Sequence, residues 1–503
     1  MFYENYIKSN LKFKKITIPN FKMGMCSDLD DANFSFGSCK QCFNFDFSKD
    51  ALTDGVGISN TISIVWRVAG QNYVKKLSMP EQLLSIKACF SFRCFNNATR
   101  TYMSYLLFYG NDFKFYYIRL DNNSLTYTQV AELSFDILPN IYLVKVNGVD
   151  KLYFYHRTIG GYIWDIDSNI STQLANPMKI KDTCIYEDRL YANFIDNESL
   201  IRFSEQLNLL SFNSASDSTG SIVLSDEYGS CQKILVFEDN LYLFKDYAIF
   251  RIVHNATNQE VRVENIFYSK NFIFPNTICV CDNKIIFLTT NGLFEFNGTT
   301  CKKIDLNIND MFDVDLNKYS VAVYNKGYYY LSCRLKYRNN YSFDCEDYST
   351  YKNNSLIRLN ISDNSVSLCS GWDFGSLTTI NDTNNDLVLA VFRRKNNVEY
   401  CGLLDMSGKI EDVVTNKVWQ SVISDLGESG KKKFIKDMCF VTKKDIVLEL
   451  YIDNKTVRKN ISGSANVQTI KINEKAEKFG FSLISNSVEN YITRPTFRIG
   501  FYE

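Results

Sequence analysis

One phrase returns along this 503-residue chain and narrows what it can fold into. A short polar turn is followed by an unbroken run of Leu, Tyr or Phe. It reads Asp150-Lys151-Leu152-Tyr153-Phe154, Asp188-Arg189-Leu190-Tyr191, Asp239-Asn240-Leu241-Tyr242-Leu243 and Lys326-Gly327-Tyr328-Tyr329-Tyr330-Leu331. Around each copy the pattern has period two and folds back on itself. Turns fall at Gly110-Asn111-Asp112, Asn147-Gly148, Glu187-Asp188, Asp239-Asn240, Asp282-Asn283, Asn325-Lys326-Gly327 and Lys395-Asn396-Asn397. These residue types tolerate positive φ, and aromatics fit a pleated face, so each unit reads as a chain of β-hairpins.

Central residues of successive units are Leu107, Tyr153, Tyr191, Tyr242, Phe287, Tyr329 and Val391, at intervals of 46, 38, 51, 45, 42 and 62. All but the last interval lie near the roughly 40–50 residues of a propeller blade. The polar insertion 338–354 stretches the last one and reads as a surface loop. A four-stranded sheet cannot cover both of its faces alone, whereas radial stacking buries them and leaves only short edges. The expected fold class is therefore all-β, a six- to seven-bladed β-propeller, preferred over a sandwich series or a solenoid. After about residue 415 the rhythm changes to five short strands, which read as a small C-terminal β-sandwich-like domain. The expected organisation is 1–100 as a strand-rich segment contributing to the propeller, 101–415 as blades and 416–503 as the C-terminal domain. Helix is minor; one short helix is expected over Met79 to Ile86, with Ser78 as its N-cap.

Composition then limits the chemistry. Lys plus Arg balances Asp plus Glu at 56 each, which argues against a polybasic nucleic-acid binder and an acidic solvating chain. Two histidines, His156 and His254, leave little room for His-based catalysis or metal binding, and each reads as structural. The N-terminus lacks the apolar core of a secretory signal and no apolar run is long enough to span a membrane, so the expectation is a chain folded in a cytoplasm. Its Asn-x-Ser/Thr sequons then read as by-products of an Asn-rich composition. Fifteen cysteines, an odd count, read mainly as small hydrophobes in a reduced protein. Cys39 and Cys42 form one Cys-x-x-Cys with Cys26 upstream; a zinc site wants a second such pair, and Cys89 and Cys94 look like strand residues. Whether Cys26, Cys39 and Cys42 bind metal stays open at this point. Cys279 and Cys281 are expected on one face of a strand.

Other candidates are weighed against plainer readings. Ser216-Asp217-Ser218-Thr219-Gly220 has the wrong spacing for a glycosidase Asp-box, and no carboxylate pair stands out for acid/base work. Trp164-Asp165 and Trp372-Asp373 lack the Gly-His partner of WD repeats. Asp305, Asn307, Asn309, Asp310, Asp313 and Asp315 lack the Gly and terminal Glu of a calcium loop and read as a solvated connection. Lys431-Lys432-Lys433 reads as a solvated edge. No catalytic, cofactor-binding or metal residue is nominated, and the chain is read as a non-enzyme with no cofactor.

Two stretches resemble tailed-bacteriophage virion proteins. One is Asn44-Phe45-Asp46-Phe47, Ala51-Leu52 and Gly55-Val56-Gly57-Ile58, with Asp50 where that family tends to have Gly. The other is Trp419-Gln420-Ser421, Asp425-Leu426-Gly427 and Lys432-Lys433-x-Ile435-Lys436. Gly292-Leu293-Phe294 with Asn297-Gly298 is similar to the family's blade phrase. The resemblance implies a structural tail component of the tail-nozzle or tail-hub type. It implies a homo-oligomeric ring around a DNA channel, assembled in the host cytoplasm with other tail or portal proteins. DNA would pass without sequence-specific binding. Two alternatives are a carbohydrate-binding or glycan-processing propeller and an intracellular protein-interaction propeller.

Overall fold

The computed structural model describes residues 11–18, 20–21, 39–48, 50–59, 61–68, 71–78, 86–96, 99–120, 127–206, 208–212, 219–224, 227–255, 260–306, 308–337, 352–381, 386–393, 399–410 and 413–502. The expected helix falls largely on residues outside this set. Its last position, Ile86, opens a strand, Ile86–Asn96.

The chain is all-β, and its central part is a β-propeller. Six successive four-stranded antiparallel sheets begin at Ile86–Asn96, Asn140–Val146, Ile180–Tyr186, Cys231–Phe237, Cys279–Cys281 and Val321–Asn325. A seventh begins at Asp373–Asn381 and takes in N-terminal residues. We refer to them as sheets 1 to 7. Each shares a buried cluster with the next, and sheet 7 shares one with sheet 1 through Leu389 and Val391 against Leu106 and Phe108, so the circuit closes.

The recurring phrase lies on the second strands of sheets 2, 3, 4 and 6. Leu107, Tyr153, Tyr191, Tyr242, Phe287, Tyr329 and Val391 occupy the second strands of sheets 1 to 7 and are at most 2% exposed. Successive side chains on a strand point to opposite faces. Thus Leu241 and Leu243 pack toward sheet 3 while Tyr242 and Phe244 pack toward sheet 5. In the next sheet Ile285 and Phe287 face sheet 4, and Ile286 and Leu288 face sheet 6. A strand buried on both faces needs apolar residues at every position, which is why the phrase is continuous rather than alternating. Each fully buried side chain of this size contributes about 2 kcal/mol. Phenol hydroxyls lock neighbouring sheets together: Tyr153 donates to the Met178 carbonyl at 2.6 Å and Tyr329 to the Thr277 carbonyl at 2.7 Å.

The first-to-second strand turns of sheets 2 to 6 are tight. Glu187-Asp188 closes sheet 3, with positive φ at both residues. In sheet 4 Phe237 pairs with Asn240, so the turn is Glu238-Asp239, one residue earlier than the sequence pattern indicates. Two-residue turns with φ positive at both centres match the twist of the flanking strands.

The C-terminal residues form two further sheets. Five strands run in the order Cys39–Phe43, Lys417–Ser421, Phe479–Ser485, Ile446–Ile452 and Lys455–Ile461. The other sheet has seven strands, with Lys433–Thr442 paired to both Thr496–Tyr502 and Ser464–Ala476. Phe479 and Phe481 of the first meet Phe497 of the second at ring distances of 5.4 and 5.3 Å, so the two sheets face each other across one core.

The N-terminal segment joins both units. Leu11–Thr17, Phe45–Ser48 and Ala51–Asp54 enter the seven-stranded sheet, and Cys39–Phe43 enters the five-stranded one. Gly57–Ser59 then pairs with Glu399–Asp405 as an outer strand of sheet 7.

Candidate functional site

The N-terminal segment meets other parts of the chain at Asn44, which makes a densely hydrogen-bonded junction. Asn44 takes φ of 61°. Its N–H donates to the Leu368 carbonyl at 2.8 Å, and its side-chain amide donates to the Asn416 carbonyl at 2.7 Å. Its Oδ1 accepts from the Ser370 N–H at 3.2 Å, and its carbonyl accepts from the Gly55 N–H at 3.0 Å. One residue therefore ties the C-terminal sheets to sheet 6 and to the strand entering sheet 7. Gly55 is required beside it, because a Cβ there would lie 2.6 Å from the Asn44 carbonyl oxygen.

Two ion pairs flank Asn44. Asp46 accepts from the Arg358 guanidinium at 2.9 Å, both side chains largely buried. Arg358 also donates to the Tyr330 hydroxyl at 3.2 Å and lies 3.4 Å from the centre of the Tyr328 ring. Burial opposes its charge, and Asp46 with the tyrosine oxygens outweighs burial, so its pKa ends above the ordinary arginine value. The second pair is Asp54 with Lys417, 3.4 Å apart, the lysine side chain fully enclosed. Burial pulls the Lys417 pKa down, and Asp54 works against that.

Beside the junction, the outer face of the five-stranded sheet opens as a groove of about 630 Å³. Val418, Val447 and Ile484 share its floor row, and Glu449, Arg458 and Asn460 line the open side. Tyr451 donates to Glu449 at 3.1 Å and shares a 2.8 Å hydrogen bond with Ser482, which holds the carboxylate upright. The polar row continues inward from Ser482 to Gln420 and Gln41, where sheet 6 covers it. This arrangement offers hydrogen-bonding groups over an apolar floor.

The residues weighed from sequence scatter. His156 Nδ1 accepts from the N–H groups of Thr158 and Ile159 at 3.3 and 3.2 Å, and Nε2 faces Asp136 at 3.4 Å; it organises a turn. The His254 side chain, Cys26, Asn307 and Ser216 to Ser218 lie outside what is described. Cys39 and Cys42 sit in the C-terminal core, where burial and the Cys39 thiol push the Cys42 thiol well up. Among the described residues no three His, Cys, Asp or Glu side chains gather as a metal site. Cys279 and Cys281 face one core on either side of the exposed Val280.

Asp313 of the acidic connection accepts from the N–H groups of Asp315 and Leu316, capping a turn. The lysine run is not uniformly solvated. Lys433 is 1% exposed and donates to the carbonyls of Glu428 and Glu477 at 2.6 and 2.9 Å. Lysine fits there because these two backbone oxygens give its ammonium acceptors in place of water. Sequence reasoning also missed Asn44, Asp54 and Lys417 as junction residues. The only available signal was their place inside the two stretches that carry the phage resemblance, or beside them.

By sequence the chain matches no family model and no curated protein. Among solved structures, BamB from Moraxella catarrhalis aligns at a TM-score of 0.36 and 11% identity, over 72% of this chain and 94% of that one. BBS1N in complex with ARL6DN, soaked with lead, aligns at 0.37 and 10% identity, over 64% of this chain and 93% of that one. No described helix is long and apolar enough to cross a membrane.

Proposed function

We propose that this chain is a seven-bladed propeller with a C-terminal β-sandwich, working as a protein-interaction scaffold, and that its setting is a ring in a phage tail. The supporting observation is where the two resembling stretches lie. Cys39, Gln41, Cys42 and Phe43, which lead directly into Asn44-Phe45-Asp46-Phe47, pair with Ser421, Gln420, Trp419 and Val418. Stretches more than 350 residues apart in sequence thus build one junction. Asp50 takes φ of 60° in the hairpin between Phe45–Ser48 and Ala51–Asp54, the left-handed conformation that the family's usual Gly adopts without strain.

A rigidly joined pair of units suits assembly. Two bodies free to swing would lose orientational entropy at every docking event, and the buried junction avoids that cost. Other faces of both units stay available for partners. The same features serve an intracellular interaction propeller, and the groove beside the junction keeps a glycan-binding reading alive. Sedimentation and native mass measurement of the purified chain, alone and with tail or portal proteins encoded beside it, tests the proposal. A strict monomer that captures none of them would refute the tail reading. Selective binding on a glycan array, lost in Glu449→Gln, would favour the sugar alternative.

A further inference from the structure

We propose that the outer face of the seven-stranded sheet docks the acidic turn rim of a second copy of this chain. The inference rests on the ring reading and names its contact surfaces.

Residues directly opposite each other in a sheet share a face. In the seven-stranded sheet, Phe13, Gly500, Phe434 and Lys475 form one row, and Lys15, Arg498, Asp437 and Lys471 form another. The intervening row of Ile499 and Ile435 points into the core. Lys436, at a bulge, lies over the Phe13 ring at 5.1 Å and so joins the outer face. Over the strands Leu11–Thr17, Thr496–Tyr502, Lys433–Thr442 and Ser464–Ala476, that face carries Lys15, Lys436, Lys471, Lys475 and Arg498 around the carboxylate Asp437, which Arg498 engages. Phe13, 47% exposed, adds an apolar anchor among the cations.

The complementary surface is on the propeller. Each sheet repeats the same up-and-down order, so its first-to-second strand turns emerge at one end of the ring. Contacts between neighbours confirm this: the Tyr186 hydroxyl, beside one turn, reaches the Asp239 carbonyl in the next at 2.9 Å, and Tyr324 of sheet 6 hydrogen-bonds Asp282 of sheet 5. The turns of sheets 3, 4 and 5 place Glu187, Asp188, Glu238, Asp239 and Asp282 side by side, all exposed and all at positive φ. The equivalent turns of sheets 2 and 6 are Asn147-Gly148 and Lys326-Gly327. Carboxylates therefore stand on three adjacent turns where the fold itself is content with Asn, Lys or Gly.

A basic face on one unit and an acidic rim on the other are different patches, so copies meet head to tail. That is the contact type that closes a ring when the rotation closes. Opposed charge also steers encounter and excludes like-on-like pairing.

The test uses the full chain in sedimentation velocity. The unmodified protein is expected to self-associate, and more weakly as salt rises from about 50 to 500 mM. Lys436→Glu with Lys471→Glu cancels the charge of the sheet face. Glu187→Lys with Glu238→Lys nearly cancels that of the rim, at the turn position that Lys326 already occupies in sheet 6. Each double variant is expected to weaken self-association about 100-fold, and an equimolar mixture of the two to form one-to-one pairs through the intact face of one and the intact rim of the other. Association that ignores salt, or a mixture that fails to pair while the unmodified chain self-associates, overturns these surfaces and leaves the ring standing. An unmodified chain that stays monomeric overturns both.

Discussion

Asp54→Asn is the sharpest test of how the two units are locked. Asp54 accepts from the N–H groups of Glu489 at 2.5 Å and Asn490 at 3.3 Å, and from the Asn490 side chain at 2.8 Å, besides facing Lys417 at 3.4 Å. Lys417 also donates to the carbonyls of Ser487 at 2.7 Å and Thr415 at 3.3 Å. Asparagine keeps the shape, removes the charge, and turns an NH2 toward groups that already donate. Removing one partner of a buried pair costs about 3–5 kcal/mol. Lys417 has a partial escape, because burial already holds its pKa below the ordinary lysine value and loss of Asp54 lowers it further.

The sign follows from linkage. The unfolded lysine titrates near ~10.4, and the folded one below that. Between the two values the unfolded state binds more protons, so stability rises with pH across that window and is lowest beneath it. Losing Asp54 widens the window downward. The Asp54→Asn penalty should therefore be about 3 kcal/mol or more at pH 6.5 and smaller at pH 9.5. Urea unfolding followed by Trp emission reads it, with Trp419 buried close to Lys417. Adding Lys417→Met to Asp54→Asn should recover part of the loss, since an apolar replacement leaves no stranded charge. A penalty below about 1 kcal/mol, or one equal at both pH values with no recovery in the double variant, would refute the reasoning.

Gly57→Ala should cost more than about 2 kcal/mol in thermal or urea unfolding, because its Cβ would lie 2.3 Å from Ser407 Oγ and 2.7 Å from the Lys409 carbonyl oxygen. The expected consequence is loss of the outer strand from sheet 7, visible as faster amide exchange over 399–405. Tyr329→Phe removes one buried hydroxyl and its bond to Thr277, for a loss of about 1 kcal/mol; no change in urea midpoint would speak against its locking role. Asp50→Gly should stay within about 0.5 kcal/mol of the parent, strain relief offsetting unfolded-chain entropy, whereas Asp50→Val should lose about 1–2 kcal/mol; both are read by the urea midpoint.

The propeller was legible because its cause is local. A second strand buried on both faces writes an uninterrupted apolar run into the sequence, and the seven central residues each fall on that strand. Turn registers were readable to within a residue: Glu238-Asp239 was displaced because Asp239-Asn240 is the better turn dipeptide, and strand pairing set the register instead. The destination of residues 11–59 left no such trace. A strand pairing with a partner hundreds of residues away has the same period as one pairing with its neighbour. Lys417, Lys433 and Asp54 were opaque for a related reason: a charged residue at a period-two position looks like a solvent face until the covering element is known.

The same limit applies to charge read as a total. Fifty-six cations against 56 carboxylates cancel only when summed over the chain. The attraction between exposed charges decays over about 8 Å at physiological salt, so a partner responds to the patch before it rather than to the sum. The seven-stranded sheet gathers lysines on one outer face, and the turns of sheets 3 to 5 gather carboxylates on one end of the ring. A chain that meets copies of itself gains from this segregation at zero net charge. The attraction is confined to the correct pair of faces, and like faces repel. Uniform mixing of the same residues would leave association unoriented. The exposed Phe13, ringed by Lys436 and its neighbours, would then have no reason to be on that face.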